Sequence, residues 1–222
     1  MHVASGGRAS FPCGQDPASA CNVAAAFQRA QSVACNSSVL LLHGSLSNVS
    51  DCNNHACEFA ARTSRSLTAC FLADKPLSLI AASTPVHWSC ATNVISAHEV
   101  SALTVIGISF SGGASTSPDN ALLTLESSLT SQLSIQDCSF TDSAVLAVNL
   151  KMNRGSVSLV NTRFTRVHGG AVKAQLQAAS LSVSNSLFEL SQSESAKTLV
   201  SLDVGSQPVS ISDSTFRNNQ LA

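Results

Sequence analysis

Cysteine and histidine are the residues whose types and spacing first suggest chemistry in this chain. Cys52, His55 and Cys57 lie close together, and Cys70 follows. Thiolate and imidazole groups bind zinc, so these side chains could hold a zinc ion, but their spacing matches no common zinc finger. We favour disulfides instead, because seven of the eight cysteines fall between residues 13 and 90. Their connectivity stays open.

Carboxylates are the second group that could do chemistry. Enzymes that cleave polysaccharides place two or three carboxylates, or carboxylates with Ca²⁺ and a basic residue, on one sheet face. The notable polar residues in the apolar stretches of the C-terminal half are Glu126, Asn149, Lys173 and Asp203. Lys173 and Asp203 could form a surface ion pair. Because no paired aspartates occur in the sequence, we predict no catalytic residues, no metal site and no cofactor.

These residues must be positioned by a repeating unit of the form aliphatic-x-aliphatic-x-Gly/Asn/Asp-x-x-Phe. Successive copies start 30, 24, 24 and 28 residues apart, which is typical of a solenoid that absorbs uneven lengths in loops. A degenerate copy begins at Leu77. The five full copies are 103–110, 133–140, 157–164, 181–188 and 209–216.

Each slot of the unit has a physical reason. Alternate aliphatic residues predict a strand with one buried face. The fifth slot holds residues that tolerate positive φ, as in Asp137 and Asp213, so we predict a corner there rather than a catalytic acid. Slots six and eight then point inward, which stacks the phenylalanines and makes Cys138 a buried free thiol. His168 is expected in a turn, and Trp88 packs near the first coils.

A second apolar stretch follows each Phe, and the stretches are 121–125, 144–150, 171–176 and 198–204. The pattern predicts an all-β, single-stranded, right-handed parallel β-helix of about six to seven coils with three short strands per coil. With so few aromatic residues and no Tyr, stacking against sugars has little support in the sequence.

The chain before the repeats differs in character. We expect a disordered N-terminus over 1–12 and a cysteine-rich cap over 13–76, with a helix at about 23–33. The first strand is expected at 39–42, followed by an irregular loop over 45–75. Residues 77–222 then form the repeats and end without a cap, so we expect a continuation of the chain or a partner stacked on the last coil.

Composition limits the partners and the compartment. Lys and Arg number 12 against 13 Asp and Glu and are scattered, so we predict no nucleic-acid binding. No apolar run is long enough to span a membrane. Cysteines with glycosylation acceptors at Asn36 and Asn48 favour a secreted or cell-surface glycoprotein, although residues 1–11 do not form a signal peptide.

Two short motifs carry a family resemblance. Gly169-Gly170-Ala171-Val172 and Phe216-Arg217-Asn218-Asn219 resemble the tetrapeptides of the chlamydial polymorphic outer membrane protein repeat. Residues 103–113 look like an entry coil of such domains. The segments from Cys13 and from Lys75 are similar to the N-terminal part of pectin-lyase-like proteins. Together the resemblance covers residues 13–219.

The resemblance implies a surface domain that takes part in adhesion or recognition, with no catalytic residues to carry over. We therefore expect a noncatalytic β-helix scaffold within a larger secreted or cell-surface protein, with an unknown protein or carbohydrate ligand. The alternative is a degenerate polysaccharide lyase or glycoside hydrolase of the pectin-lyase-like fold. A fold alone does not decide between them.

Overall fold

A computed structural model gives the fold. The residues that it describes are 1–8, 15–23, 25–26, 38–47, 72–73, 76–82, 86–90, 94–98, 100–113, 121–189, 192–193 and 199–221. They form an all-β parallel solenoid of about five turns. Every strand pair among them is parallel. The six or seven coils expected from the sequence stay a prediction, because parts of the N-terminal half lie outside the described residues.

The strands build two large sheets that run along the solenoid. One has eleven strands and contains the path β1-β2-β5-β8-β10-β12-β14-β17, and the other has seven in the order β19-β15-β13-β11-β9-β6-β3. In chain order the strands are β1 His2–Arg8, β2 Ser38–His43, β3 Ser45–Leu46, β4 Leu72–Ala73, β5 Leu77–Ala81, β6 Val86–Cys90, β7 Ile95–His98, β8 Ala102–Ile106, β9 Ile108–Gly112, β10 Ala121–Gln136, β11 Ser139–Ser143, β12 Leu146–Val160, β13 Arg163–Val167, β14 Val172–Ser184, β15 Leu187–Glu189, β16 Gln192–Ser193, β17 Val200–Val204, β18 Val209–Ser212, β19 Thr215–Arg217 and β20 Gln220–Leu221.

A continuous aromatic stack runs through the core and confirms the predicted role of slot eight. Neighbouring phenylalanine rings lie 4.4–5.2 Å apart between centroids and nearly parallel, in the order Phe110, Phe140, Phe164, Phe188 and Phe216. Trp88 extends the stack by one coil, with its centroid 6.2 Å from that of Phe110. The sole tryptophan therefore occupies slot eight of the degenerate copy, opposite Phe110 in the β6–β9 pair.

The predicted corners are also confirmed. All five residues in slot five have positive φ, between 49° and 74° (Gly107, Asp137, Asn161, Asn185 and Asp213). Asn161 Nδ2 donates to Asp137 Oδ1 across neighbouring coils at 2.5 Å. Asp137 and Asp213 therefore serve the backbone conformation. This is why Asn and Gly replace them in the sibling copies.

A second positive-φ corner lies two residues after Phe110, Phe140, Phe164 and Phe216 and was missed in the sequence. Asp142 and Arg166 occupy it on adjacent coils with φ near 50°. The Arg166 guanidinium donates from Nε and Nη2 to the two Asp142 carboxylate oxygens at 2.5 and 2.8 Å. This pairing lowers the pKa of Asp142 below its ordinary value. Gly112, two residues after Phe110, also has positive φ, at 95°.

Slot six places a small polar ladder inside the solenoid. Ser186 Oγ donates to the Ser184 carbonyl at 2.9 Å and accepts the backbone N–H of Thr162 at 3.2 Å. Ser214 repeats both bonds one coil later, with Ser212 O and Ser186 N. The buried Ser186 hydroxyl is thus satisfied twice, so a serine in slot six can face the core without an unpaired polar group.

Two of the three strands expected per coil are fused. β10, β12 and β14 each run through the second apolar stretch and then into slots one to four of the next copy, bending rather than breaking. The register of β10 on β12 shifts between Ser127 and Thr130 at this bend. Inside it, the buried Ser131 hydroxyl donates to the Val100 carbonyl and lies 2.6 Å from Ser127 Oγ. These polar contacts replace the turn that the sequence suggested.

Two glycines allow neighbouring coils to approach each other closely. Gly155 has φ of 124°, and a Cβ there would lie 1.7 Å from the Ser131 carbonyl oxygen. Gly169, in the Gly-Gly-Ala-Val motif, is equally confined, since its Cβ would lie 2.3 Å from the backbone nitrogen of Leu146. Close approach of one coil to the next therefore explains both glycines.

The expectation that residues 1–12 are disordered is wrong for 2–8. These residues form β1, which pairs with β2 so that His2 lies opposite Leu41 and Ala4 opposite His43. Val3 is fully buried. The sequence of β1 has little alternation, so its order comes from pairing with a neighbour rather than from local pattern. β2 at Ser38–His43 confirms the predicted strand over 39–42, but it is not the first strand.

The expected capping helix at about 23–33 stays a prediction. Its described beginning has one helical hydrogen bond, from Ala26 N–H to the Asn22 carbonyl at 3.0 Å, and the Asn22 side chain caps Ala25 N–H at 2.8 Å. The rest of the helix lies outside the described residues. A short 3-10 helix at Pro17–Ser19 precedes it, with Asp16 as its N-cap. No helix in the described ranges is long and apolar enough to span a membrane.

Candidate functional site

A groove of about 710 Å³ crosses four successive coils at the bend of the long strands. It lies where β10, β12 and β14 turn from one face of the solenoid to the next, and β17 closes its end. Strand register determines the lining, because residues directly opposite each other on neighbouring coils project side by side. The groove therefore runs along the solenoid axis rather than along a strand.

Two polar rows form the accessible walls of this groove. In the first row, Lys151 pairs in register with Glu126 and with Gln175, and Gln175 pairs with Asp203. Asn153 and Gln177 project from the second row and are exposed. Between the rows, the side chains of Met152 and Leu176 are buried in the core. The groove thus offers amide and charged groups at intervals of roughly 4.8 Å, the spacing of neighbouring strands.

One ion pair dominates the charge of the groove. Lys151 Nζ lies 3.1 Å from Glu126 Oε1, and both side chains are partly exposed. The pair neutralises itself, which leaves Asp203 as the remaining charge on the first row. The groove is therefore weakly acidic and rich in hydrogen-bonding groups. The residual negative charge argues against a strongly anionic ligand.

The two groove carboxylates are too far apart to cooperate on one bond. Glu126 and Asp203 are separated by three coil spacings, which is about 14 Å at roughly 4.8 Å per coil. Paired carboxylates of glycoside hydrolases lie about 5–10 Å apart. Lys151 and Gln175 occupy the two positions between Glu126 and Asp203 in this row. Among the described residues that line the groove, no two carboxylates are close enough to act as a hydrolytic pair.

The structure separates the polar residues singled out from the sequence. Glu126 and Asp203 line the groove, whereas Asn149 is buried and Lys173 lies one row away. Lys173 stands opposite Ser201, and Asp203 stands opposite Gln175. The ion pair considered for Lys173 and Asp203 would thus be diagonal, not directly opposed.

His168 lies in the turn between β13 and β14, as the sequence predicts, and its side chain is exposed. Cys138 is buried and free, which confirms its predicted state. Burial away from water raises the pKa of the Cys138 thiol to about 11, so the reactive thiolate is disfavoured. Neither residue belongs to the groove.

The cysteine and histidine cluster lies outside the described residues, namely Cys52, His55, Cys57 and Cys70, together with the acceptors Asn36 and Asn48. The choice between zinc and disulfides there stays a prediction, as does glycosylation. In the ranges that the structure describes, no three His, Cys, Asp or Glu side chains are grouped so that they could hold a metal ion.

The charged and amide groove residues missed in the sequence are Lys151, Asn153, Gln175 and Gln177. The apparent end of the apolar stretches at 150 and 176 hid the fact that the strands continue through the bend. A signal was nevertheless present. Lys151, Gln175 and Asp203 are 24 and 28 residues apart, the same intervals as the repeat copies at 157, 181 and 209. Extending the repeat backwards places them in one row.

Comparison of the chain with family models, with curated proteins and with solved structures finds no match. The residues and their geometry therefore carry the functional argument alone.

Proposed function

We propose that this chain is a noncatalytic recognition scaffold, a right-handed β-helix of the pectin-lyase-like kind, within a larger secreted or cell-surface protein. The observation that carries the proposal is the groove across four coils, whose polar walls contain no closely spaced carboxylates. Right-handedness is supported by the general preference of parallel crossover connections. The similarity to the chlamydial repeat rests on the Gly-Gly-Ala-Val and Phe-x-x-Asn motifs.

The groove favours an extended polar ligand, such as an oligosaccharide or a peptide in extended conformation. Its exposed groups are amides, hydroxyls, one self-neutralised ion pair and the carboxylate of Asp203, which bind by hydrogen bonding rather than by burial of apolar area. Polar groups follow one another at the spacing of the coils but differ in kind, so an extended ligand would meet a different hydrogen-bonding partner at each coil. Such sites gain affinity by summing weak contacts.

The experiment is a binding screen of the intact chain against arrayed neutral and acidic oligosaccharides and extended peptides. A double substitution, Asn153→Ala with Gln177→Ala, removes two exposed amides from the second row and should weaken binding of the array ligand at least tenfold. Gln132→Ala is the matched control, because Gln132 is exposed on β10 but does not line the groove. Equal binding by the double variant and the control would contradict the groove as the site.

A degenerate polysaccharide lyase or hydrolase is the second candidate, since the groove holds Glu126, Lys151 and Asp203 on one row. The same preparations, incubated with each bound oligosaccharide, distinguish the two functions. Binding without release of new reducing ends supports the scaffold. Release that Glu126→Gln or Lys151→Ala abolishes would establish the enzyme, because those substitutions remove the groups available for proton transfer.

A further inference from the structure

One carboxylate of the groove carries a charge that its surroundings do not neutralise. Asp203 lies on β17 at one end of the groove, and its side chain is exposed. The residue opposite it in register is Gln175, a neutral amide. The other groove carboxylate, Glu126, is already paired with Lys151 at 3.1 Å. The ion pairs found among the described residues all join side chains other than Asp203, so this carboxylate is available to a ligand.

The middle of the groove is suited to a peptide main chain. Asn153, Gln175 and Gln177 place three carboxamides there, on two neighbouring coils. A carboxamide offers a carbonyl acceptor and an N–H donor, which are the complement of the C=O and N–H groups of a peptide unit. Of the described residues that line the groove, none is aromatic, so a sugar ring finds no face on which to stack. The lining therefore favours a peptide over an oligosaccharide.

We infer that the groove binds an extended polypeptide segment that carries Lys or Arg opposite Asp203. The inference rests on the proposed function of the groove and specifies its ligand class. The carboxamides hold the main chain of the segment by hydrogen bonds, which carry little sequence information. The ammonium or guanidinium group forms a charge-assisted hydrogen bond with the Asp203 carboxylate. An acidic side chain at that position would meet a like charge, so Asp203 determines the specificity of this site.

The dimensions of the groove confine this preference to one position of the ligand. Three coil spacings separate Glu126 from Asp203, which is about 14 Å at roughly 4.8 Å per coil. An extended peptide rises about 3.3 Å per residue, so about four residues cover that distance. The residue at the far end meets the pair of Glu126 and Lys151, which has no net charge. A segment of about five residues should therefore show a charge preference at one end and none at the other.

The probe is an array of acetylated and amidated pentapeptides, incubated with the labelled intact chain. One end residue is Lys, Arg, Gln or Glu, the other end is varied in the same way, and the central residues are drawn from Ser, Thr, Asn and Val. Peptides with Lys or Arg at the sensitive end should bind about fivefold more tightly than those with Gln, the effect expected of a partly exposed ion pair. Glu should bind most weakly, and the preference should largely disappear in 1 M salt, where the Debye length is about 3 Å.

A pair of protein variants assigns the preference to its residue. Asp203→Asn removes the charge and keeps the shape, so it should reduce binding of the Lys and Arg peptides to the level of the Gln peptides. Asp213→Asn is the matched control, because it makes the same change of charge at an exposed corner outside the groove. Asparagine already occupies the equivalent corner at Asn185, so the control should fold normally and keep the preference.

The outcomes separate this inference from the function on which it rests. Equal binding of Lys and Glu peptides, or a preference that survives Asp203→Asn, would overturn the inference. Binding of oligosaccharides but not of peptides would overturn it too. In each case the groove remains a recognition site if binding still falls in the double variant of Asn153 and Gln177. Ligand binding that the double variant leaves unchanged would instead contradict the proposed function itself.

Discussion

Replacing Phe164 by alanine tests the aromatic stack, because this ring is fully buried in the middle of the solenoid. It lies between Phe140 at 5.2 Å and Phe188 at 4.8 Å, with interplanar angles of 6° and 10°. Loss of a buried phenylalanine costs roughly 3–5 kcal/mol. Each stacked pair contributes about 0.5–1.5 kcal/mol beyond buried area, so the upper half of that range is expected.

Phe216→Ala is the matched control, since this ring is nearly half exposed and has one aromatic neighbour. We expect it to cost about half as much as Phe164→Ala, or roughly 2 kcal/mol. Urea unfolding followed by far-UV circular dichroism and by fluorescence of the sole tryptophan, Trp88, gives both values. Two probes are needed because solenoids can unfold in parts. A loss below about 1 kcal/mol for Phe164→Ala, or equal losses for both variants, would refute the stacked core.

Three further substitutions test the corners, the bend and the N-terminal coil. Asn161→Ala should cost about 1–2 kcal/mol because φ is 49°, while Asn161→Gly should cost less, and urea midpoints compare the two directly. Gly155→Ala should prevent stable folding of the bend, since its Cβ would overlap the preceding coil. Gly44→Ala should cost only the backbone strain of its φ of 67°, because open space surrounds the position of the Cβ. Equal melting temperatures for the two glycine variants would contradict the close approach. His43, hydrogen-bonded at 2.8 Å to the neighbouring histidine, has a pKa lowered by burial and then by that neighbour's charge, so the neutral form is the one that folding favours. Its contribution is therefore complete above about pH 6.5 and falls as the pH drops toward the folded pKa. His43→Gln should flatten the pH dependence of the melting temperature in that window, and an unchanged pH dependence would contradict the role of His43.

The core and the corners could be read from the sequence because each slot has one dominant physical demand. Phenylalanine recurs, as at Phe140 and Phe164, where only a large inward side chain fits. A residue that tolerates positive φ recurs at the corner, as at Asn161. These demands are local and repeat in register, so alignment of the copies exposes them. β1 had no such signature. Its order depends on hydrogen bonds with β2, and the sequence of β1 alone does not show that β2 lies beside it.

The groove was harder to foresee, because its shape comes from a bend without a turn residue. Glu126 and Asp203 were recognised as polar residues near or in apolar stretches. Gln175 was overlooked inside the stretch 171–176, and Lys151 lies just past the stretch that ends at residue 150. At the bend the inward position is held by Ser127, a polar residue satisfied by its buried contacts, and a polar residue ordinarily marks a loop. Local pattern therefore gave the wrong element boundary, while the interval of the repeat carried the right information.

The same repeat makes the lining of the groove and the stability of the fold nearly independent of each other. Inward slots fix the stack and the corners, and their substitution costs stability. Outward positions in the groove, such as Asn153, Gln175 and Gln177, contact neither the stack nor the slot-six ladder. A solenoid can therefore change the side chains of its groove from coil to coil without disturbing its core. Recognition by the groove would depend on a row of side chains spaced one coil apart. The variants of Asn153 and Gln177 test two neighbouring members of such a row.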